Sequence, residues 1–335
     1  MSAETGVGAG PAIPETPPAE PGPGRSRGVL ARADARAGLA LISPTLIIVL
    51  VMVVLPILWT VLLAFQRLRL LNLRTTGLFG NFTLNNFDNV FGSGAFWGSL
   101  GTTVAYSVLG TAGAIGLGLV AALALRRPFP GRNLVRAAML LPYVAPIVAA
   151  TFAWKTMLNP QFGVANYWGT RLLGWDAPIA FVSEGRPVSL FGLELGIPTA
   201  LLTVIVFEAW RSFPFAFLFL TARLQAVPGT LEEAALVDGA TVSQRFRHVL
   251  LPQLLPTIAV LAVLRFIWTF NNFDDIYLLT GGGAGTEVVT VRIFNFLTAR
   301  GDIGSASAQA LVLATILAVL VTVYLRFAGR REEKA

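Results

Sequence analysis

The chain has no cysteine and one histidine among 335 residues. That excludes disulfides, thiol catalysis and cysteine metal sites, and His248 alone cannot build a histidine-based metal cluster. Charge is also scarce: 13% of residues are charged and 55% are hydrophobic, whereas a soluble domain carries about a quarter charged residues. A net charge of +7 would suit a polyanion partner, but the basic residues flank apolar segments and form no stripe. They read as membrane topology, with no nucleic-acid partner implied. The glycines at 281–285 lack the Lys-Ser/Thr of a phosphate loop and follow an apolar helix, so they serve as a turn at a membrane exit.

What is present is long apolar sequence. A hydrocarbon core of about 30 Å takes about 20 helical residues. Six stretches meet that length, at 39–65, 97–125, 136–157, 198–222, 253–279 and 308–328. The expected fold is an all-α integral membrane protein of about six transmembrane helices. Pro44 and Pro56 should bend the first span, and Pro142 and Pro146 the third. The second is rich in Gly and Ala, which let helix backbones approach, so it belongs in the interior.

The Pro- and Gly-rich residues 1–36 have little to bury and form a disordered tail. The first apolar run reads as a retained membrane helix, not a cleaved signal. Residues 37–96 hold the first span and an outer loop, 97–328 the core, and 329–335 a second tail. Arginines before span one, at Arg126, Arg127 and Arg132, at Arg223, Arg245 and Arg247, and after span six fall on one side if both termini are cytoplasmic. Arg67, Arg69 and Arg74 in the first outer loop weaken that contrast without reversing it.

Between spans four and five lies a polar, helix-prone segment within 223–252. Thr230 and Glu233 have the spacing of a capping box, as do Thr241 and Gln244. Gly239 permits a turn between two short helices. Pro252 should end the second, with Pro256 opening the next apolar segment. Glu233, Ala234, Ala235, Gly239, Val249, Leu251 and Pro252 together resemble the EAA loop of permease subunits of bacterial ABC importers, with Val249 in place of isoleucine. The outer loops 66–96 and 158–197, and the stretch 270–283, resemble those of the sugar-type, binding-protein-dependent permeases.

The resemblance implies a type I importer transmembrane domain in the bacterial cytoplasmic membrane. It implies that Glu233, Ala234, Ala235, Asp238, Gly239 and Pro252 dock on an ATPase. It further implies two ATP-binding subunits that carry the ATP and Mg, a second permease that is a different chain, and an extracytoplasmic solute-binding protein. The chain itself needs no cofactor and is not an enzyme. The solute implied is a sugar, oligosaccharide or related polyol.

Ionisable residues within spans point to function. At 1.5 Å per residue, Glu208 lies about 15 Å, and Arg211 and Arg265 about 20 Å, from the outer ends of their spans. Helical spacing puts Glu208, Ser212 and Phe215 on one face, and Arg265, Trp268, Thr269 and Asn272 on another. With Trp210 or Trp268 as an aromatic plane, these groups offer what a sugar ring needs. Two readings fit equally: a substrate pathway, or a buried pair of Glu208 with Arg265 or Arg211 that fixes helix packing. Asp274 and Asp275 sit toward the outer end of span five and read as an interfacial cap, with a gate role as the alternative. A carrier driven by an ion gradient is the alternative function, against which stand the few spans and the elbow.

Overall fold

The computed structural model describes residues 40–73, 75, 80–190 and 193–332. The tail at 1–36, the basic residues preceding span one, Arg74 and the last three residues lie outside them. The chain divides into two compact units at Leu58/Trp59.

In the first unit the described residues belong to α1, Ala40–Ala64, which is apolar throughout and buries none of its most apolar window. A helix apolar on every side suits contact with lipid. A π turn at Leu50–Val54 closes with the Leu55 N–H on the Leu50 carbonyl, just before Pro56. Proline's ring clashes with the carbonyl four residues back, and the widened turn makes room for it.

The second unit continues with α2 (Asn85–Phe91), α3 (Gly94–Ala124), α4 (Arg132–Val144), α5 (Ile147–Met157) and α6 (Val164–Leu172). Two antiparallel strands follow, β1 (Pro187–Leu190) and β2 (Leu193–Pro198), in register Ser189↔Glu194 and Leu190↔Leu193. This hairpin is an addition to the all-helical expectation. Then come α7 (Thr199–Gln225), α8 (Gly229–Val237), α9 (Val242–Phe270), α10 (Asp274–Thr280), α11 (Val289–Thr298) and α12 (Ile303–Glu332).

Five of these helices are long and apolar enough to cross a membrane, or six if α4 and α5 make one span. The expected third span is not straight: α4 and α5 meet at 97°. Pro146 stands in extended backbone at the start of α5, which breaks the helix where a kink alone was expected. The fifth span is also corrected. It ends at Phe270, not near 279, and a short break precedes α10.

Pro252 does not end a helix. The chain stays helical from Val242 to Phe270, and a second π turn, Phe246–Leu250, stands two residues before Pro252 as the first does before Pro56. The same widening accommodates the same ring.

Small residues bring α3 against α7. A Cβ on Gly110 would sit 3.1 Å from the Glu208 Cγ, one on Gly113 2.9 Å from the Ala209 Cβ, and one on Gly118 2.7 Å from the Ala216 Cβ. The Gly- and Ala-rich second span is therefore interior, as its composition indicates. Apolar clusters flank this seam. Phe217, Leu220, Leu254 and Leu261 join α7 to α9, Val204, Phe207, Ile276 and Val291 join α7 to α10 and α11, and Phe96, Phe270, Val289 and Val312 join α3, α9, α11 and α12.

Overpacking a tight seam costs about 1–3 kcal/mol. Gly118→Ala should therefore lower the thermal unfolding midpoint of the detergent-solubilised protein. Gly116→Ala, with open space where its Cβ would stand, should not. Equal midpoints for the two variants would contradict the packing described.

Candidate functional site

Two constellations emerge, one inside the helices and one on the elbow. In the interior, Glu208 on α7 is fully buried. One carboxylate oxygen forms an ion pair with Arg265 of α9 and accepts from Ser212 (3.1 Å) and Thr269 (3.0 Å). The other oxygen takes the Arg211 guanidinium at 3.5 Å. Arg211 also reaches Asp275 of α10, with its Nε 3.1 Å and its Nη2 3.2 Å from the two carboxylate oxygens. Asp275 further accepts from the Tyr106 hydroxyl (3.1 Å) and the Asn272 amide (2.8 Å).

Two carboxylates and two guanidiniums thus sit in one network, and the formal charges cancel. An unpaired buried charge is the expensive case; a matched set with its remaining lone pairs satisfied is tolerable. Tyr106 brings α3 into the network, so four helices converge on it.

The predicted residues separate into groups. Glu208, Arg211, Ser212, Arg265 and Thr269 meet in one network. Asn272 lies past the end of α9 and serves Asp275 instead. Trp268 is half exposed and packs edge-on to Phe215 at 5.2 Å, with the Arg265 guanidinium 5.8 Å from its ring centre. Trp210 belongs elsewhere, among Trp154 and Phe207.

Asp275 overturns its reading as an interfacial cap: it is fully buried, while Asp274 is exposed. The break after Phe270 turns α10 so that Asp275, Ile276 and Leu279 face inward. Helical spacing places these three on one face, a signal that the reading as a cap left unused. Tyr106 carried no comparable signal, because its partner comes from 169 residues away.

On the elbow, Thr241 and Gln244 form the expected capping box. The expected box at Thr230 and Glu233 does not form. Pro228 occupies the cap position with extended backbone, so Thr230 falls inside the first turn and Glu233 is left exposed. α8 closes in a Schellman motif: the Gly239 N–H bonds the Leu236 carbonyl at 3.0 Å, and the Ala240 N–H bonds that of Ala235 at 2.9 Å. Gly239 takes φ +77° there, which a residue with a Cβ resists.

Ala234, Asp238 and Pro252 are exposed, as Glu233 is, and Ala235 is partly so. Val237 is 89% exposed and Val242 73%, which is apolar surface with nothing on it in this chain. Two clasps missed in the sequence tie the elbow down. Arg126, from the α3–α4 turn, pairs with Glu232, and Arg223 of α7 donates to the Gln253 carbonyl (2.9 Å) and side-chain oxygen (3.2 Å).

Residues 114–332 match the family described as the binding-protein-dependent transport system inner membrane component. The chain belongs to that family. It is a multi-pass inner-membrane permease subunit of an ATP-driven importer, and ATP hydrolysis belongs to a partner. The alternative of an ion-gradient-driven carrier is set aside.

The permease is 34% identical over 293 residues to the inner membrane ABC transporter permease protein YcjO of Escherichia coli, covering 87% of this chain and 93% of that one. It is 32% identical over 302 residues to the trehalose/maltose transport system permease protein MalF of Thermococcus litoralis, covering 90% and 96%. Its fold resembles a chain of a bacterial alginate ABC transporter solved with an alginate-bound periplasmic protein, with a TM-score of 0.73, 22% identity and coverage of 92% and 98%. Membership implies a second permease, an ATPase and a binding protein as partners. Among the described residues no group of His, Cys, Asp and Glu is placed to hold a metal ion.

Breaking a buried ion pair by removing one partner costs about 3–5 kcal/mol. Asp275→Asn should lower the unfolding midpoint of the purified protein by many degrees, and Asp274→Asn should leave it within error. Similar small shifts in both would contradict the network.

Proposed function

We propose that this permease imports a sugar, oligosaccharide or related polyol, and that α9 carries ATPase movement directly to the charged network. The observation that carries this reading is the unbroken helix from Val242 on the elbow to Arg265 and Thr269, which bond Glu208. At 1.5 Å per residue that rod is about 35 Å long. Its first turn adjoins the exposed Glu233, Ala234, Ala235, Asp238 and Gly239, which dock on the ATPase together with Pro252. The apolar surface of Val237 and Val242 supports the docking. Closure of the ATPase displaces the start of α9. The shift reaches Arg265 without an intervening hinge other than the π turn at Phe246–Leu250, and alternating access follows from rearranging the network.

In this conformation Glu208 and Arg265 are buried, which favours their role as a lock between helices. The solute path then runs along the aromatic row beside them, the exposed Tyr143, Phe219 and Trp268 with the half-buried Phe215, whose neighbouring rings lie 4.7–6.1 Å apart. Aromatic planes next to a guanidinium suit the C–H faces and hydroxyls of a sugar ring. The relatives named for trehalose/maltose and for sn-glycerol-3-phosphate support that class of solute.

The fuller assembly in this reading has two ATP-binding subunits holding ATP and Mg, and a second permease that is a different chain. A solute-binding protein docks on the outer face, and both termini are cytoplasmic. The tails at 1–36 and 329–335 flank the core at 97–328, with the coupling loop at 223–252.

A tagged chain, solubilised from its native membrane in mild detergent, should recover an ATPase and a second permease. Glu233→Lys and Gly239→Pro should lose the ATPase while keeping the second permease. ATPase recovery equal to wild type in both variants would refute the docking role.

A further inference from the structure

A polar cavity of about 290 Å³ lies where α2, the start of α3, α11 and the start of α12 meet. It shares no residue with the charged network or the aromatic row. Asn89, Ser93, Arg292, Arg300, Ser305 and Gln309 supply its polar walls. We propose that it binds a neutral polyhydroxylated ring of hexose size, at a site separate from the solute path.

Two buried groups argue for a ligand. Gln309 is 2% exposed; its amide nitrogen donates to the Ser305 carbonyl at 3.3 Å, and its Oε1 has no partner. Arg292 is 8% exposed; it reaches Glu287 at 3.3 Å and Ser93 at 3.2 Å, and its Nε has no partner. Leaving buried polar groups unmade is costly, so each should meet a partner in the loaded state.

The unmet groups also define the chemistry. Gln309 Oε1 needs a donor and Arg292 Nε needs an acceptor. An ionised carboxylate cannot serve the first, and an ammonium cannot serve the second; a hydrogen phosphate carries both donor and acceptors and is disfavoured by the charge of the site. Hydroxyl groups serve both. Water would also serve both, and a cavity of this size holds several molecules; one ring bearing several hydroxyls replaces them as a single ligand.

Charge points the same way. Arg292 is matched by Glu287, and the lining holds one further arginine, Arg300, against one carboxylate, Asp302. Both Asp302 oxygens are already engaged by Ser305, at 3.0 Å each. Summed, the site is neutral, which disfavours an anion. Phe96 and Phe296 complete the wall and present apolar surface to the C–H side of a ring.

The test is saturation-transfer-difference NMR on the purified importer complex in lipid nanodiscs, with D-glucose as the probe. Wild type should transfer saturation to the sugar C–H protons. In Gln309→Leu the apparent affinity should fall about fivefold, the effect of losing one hydrogen bond of about 1 kcal/mol. Asn89→Trp, at an exposed position on the mouth, should block the site without disturbing the core, and it serves if Gln309→Leu fails to assemble. Absence of transfer in wild type, or transfer unchanged in the assembled variants, would overturn the proposal. The second result would assign glucose to the solute path, or to an interface with a partner.

Discussion

Everything in the interior of the second unit depends on cancelling charge. Glu208 and Asp275 are completely buried, and Arg265 nearly so. Any one of them alone among apolar helices would be prohibitive. Arg211 solves the problem by touching both carboxylates, while Arg265 takes the other side of Glu208. The arrangement is possible only because Gly110 lets α3 close over Glu208 and because the break after Phe270 points Asp275 inward. Packing and electrostatics are therefore one constraint: the glycine seam sets how near the helices lie, and nearness lets the charges meet.

The same network gives the helices a shared state. α7, α9 and α10 are joined by ion pairs, and α3 by the Tyr106 hydroxyl. Low dielectric sharpens the alternatives, since a partly separated pair loses much of its attraction before water can replace it. Such a network favours discrete arrangements over gradual deformation. A helix that begins at the elbow and runs into this network joins the two without loops between.

Much of this was legible in the residues. Most span positions followed from hydropathy and the interior place of α3 from its glycines, while the matched depth of Glu208 and Arg265 left a pair and a substrate pathway equally open. The turn at Gly239 followed from the need for a left-handed residue. The failures have two causes: near neighbours that outweigh a local motif, and partners far away in sequence. Thr230 and Glu233 have capping-box spacing, but Pro228 upstream already fixes the helix start. Pro252 reads as a terminator, yet a π turn absorbs its ring. Asp275 looked solvated because its position near a span end was visible, whereas Tyr106 and Arg211, which enclose it, were far away in sequence. The Arg126–Glu232 clasp was hidden for the same reason.

The buried charges act as one neutral unit. A double-mutant cycle on Glu208→Gln and Arg265→Gln, read as the thermal unfolding midpoint of the assembled importer in nanodiscs, tests this most directly. Each single variant should be strongly destabilised by the charge left unmatched, and the double variant should recover most of the loss. Additive losses, with the double variant the least stable of all, would contradict a shared neutral unit.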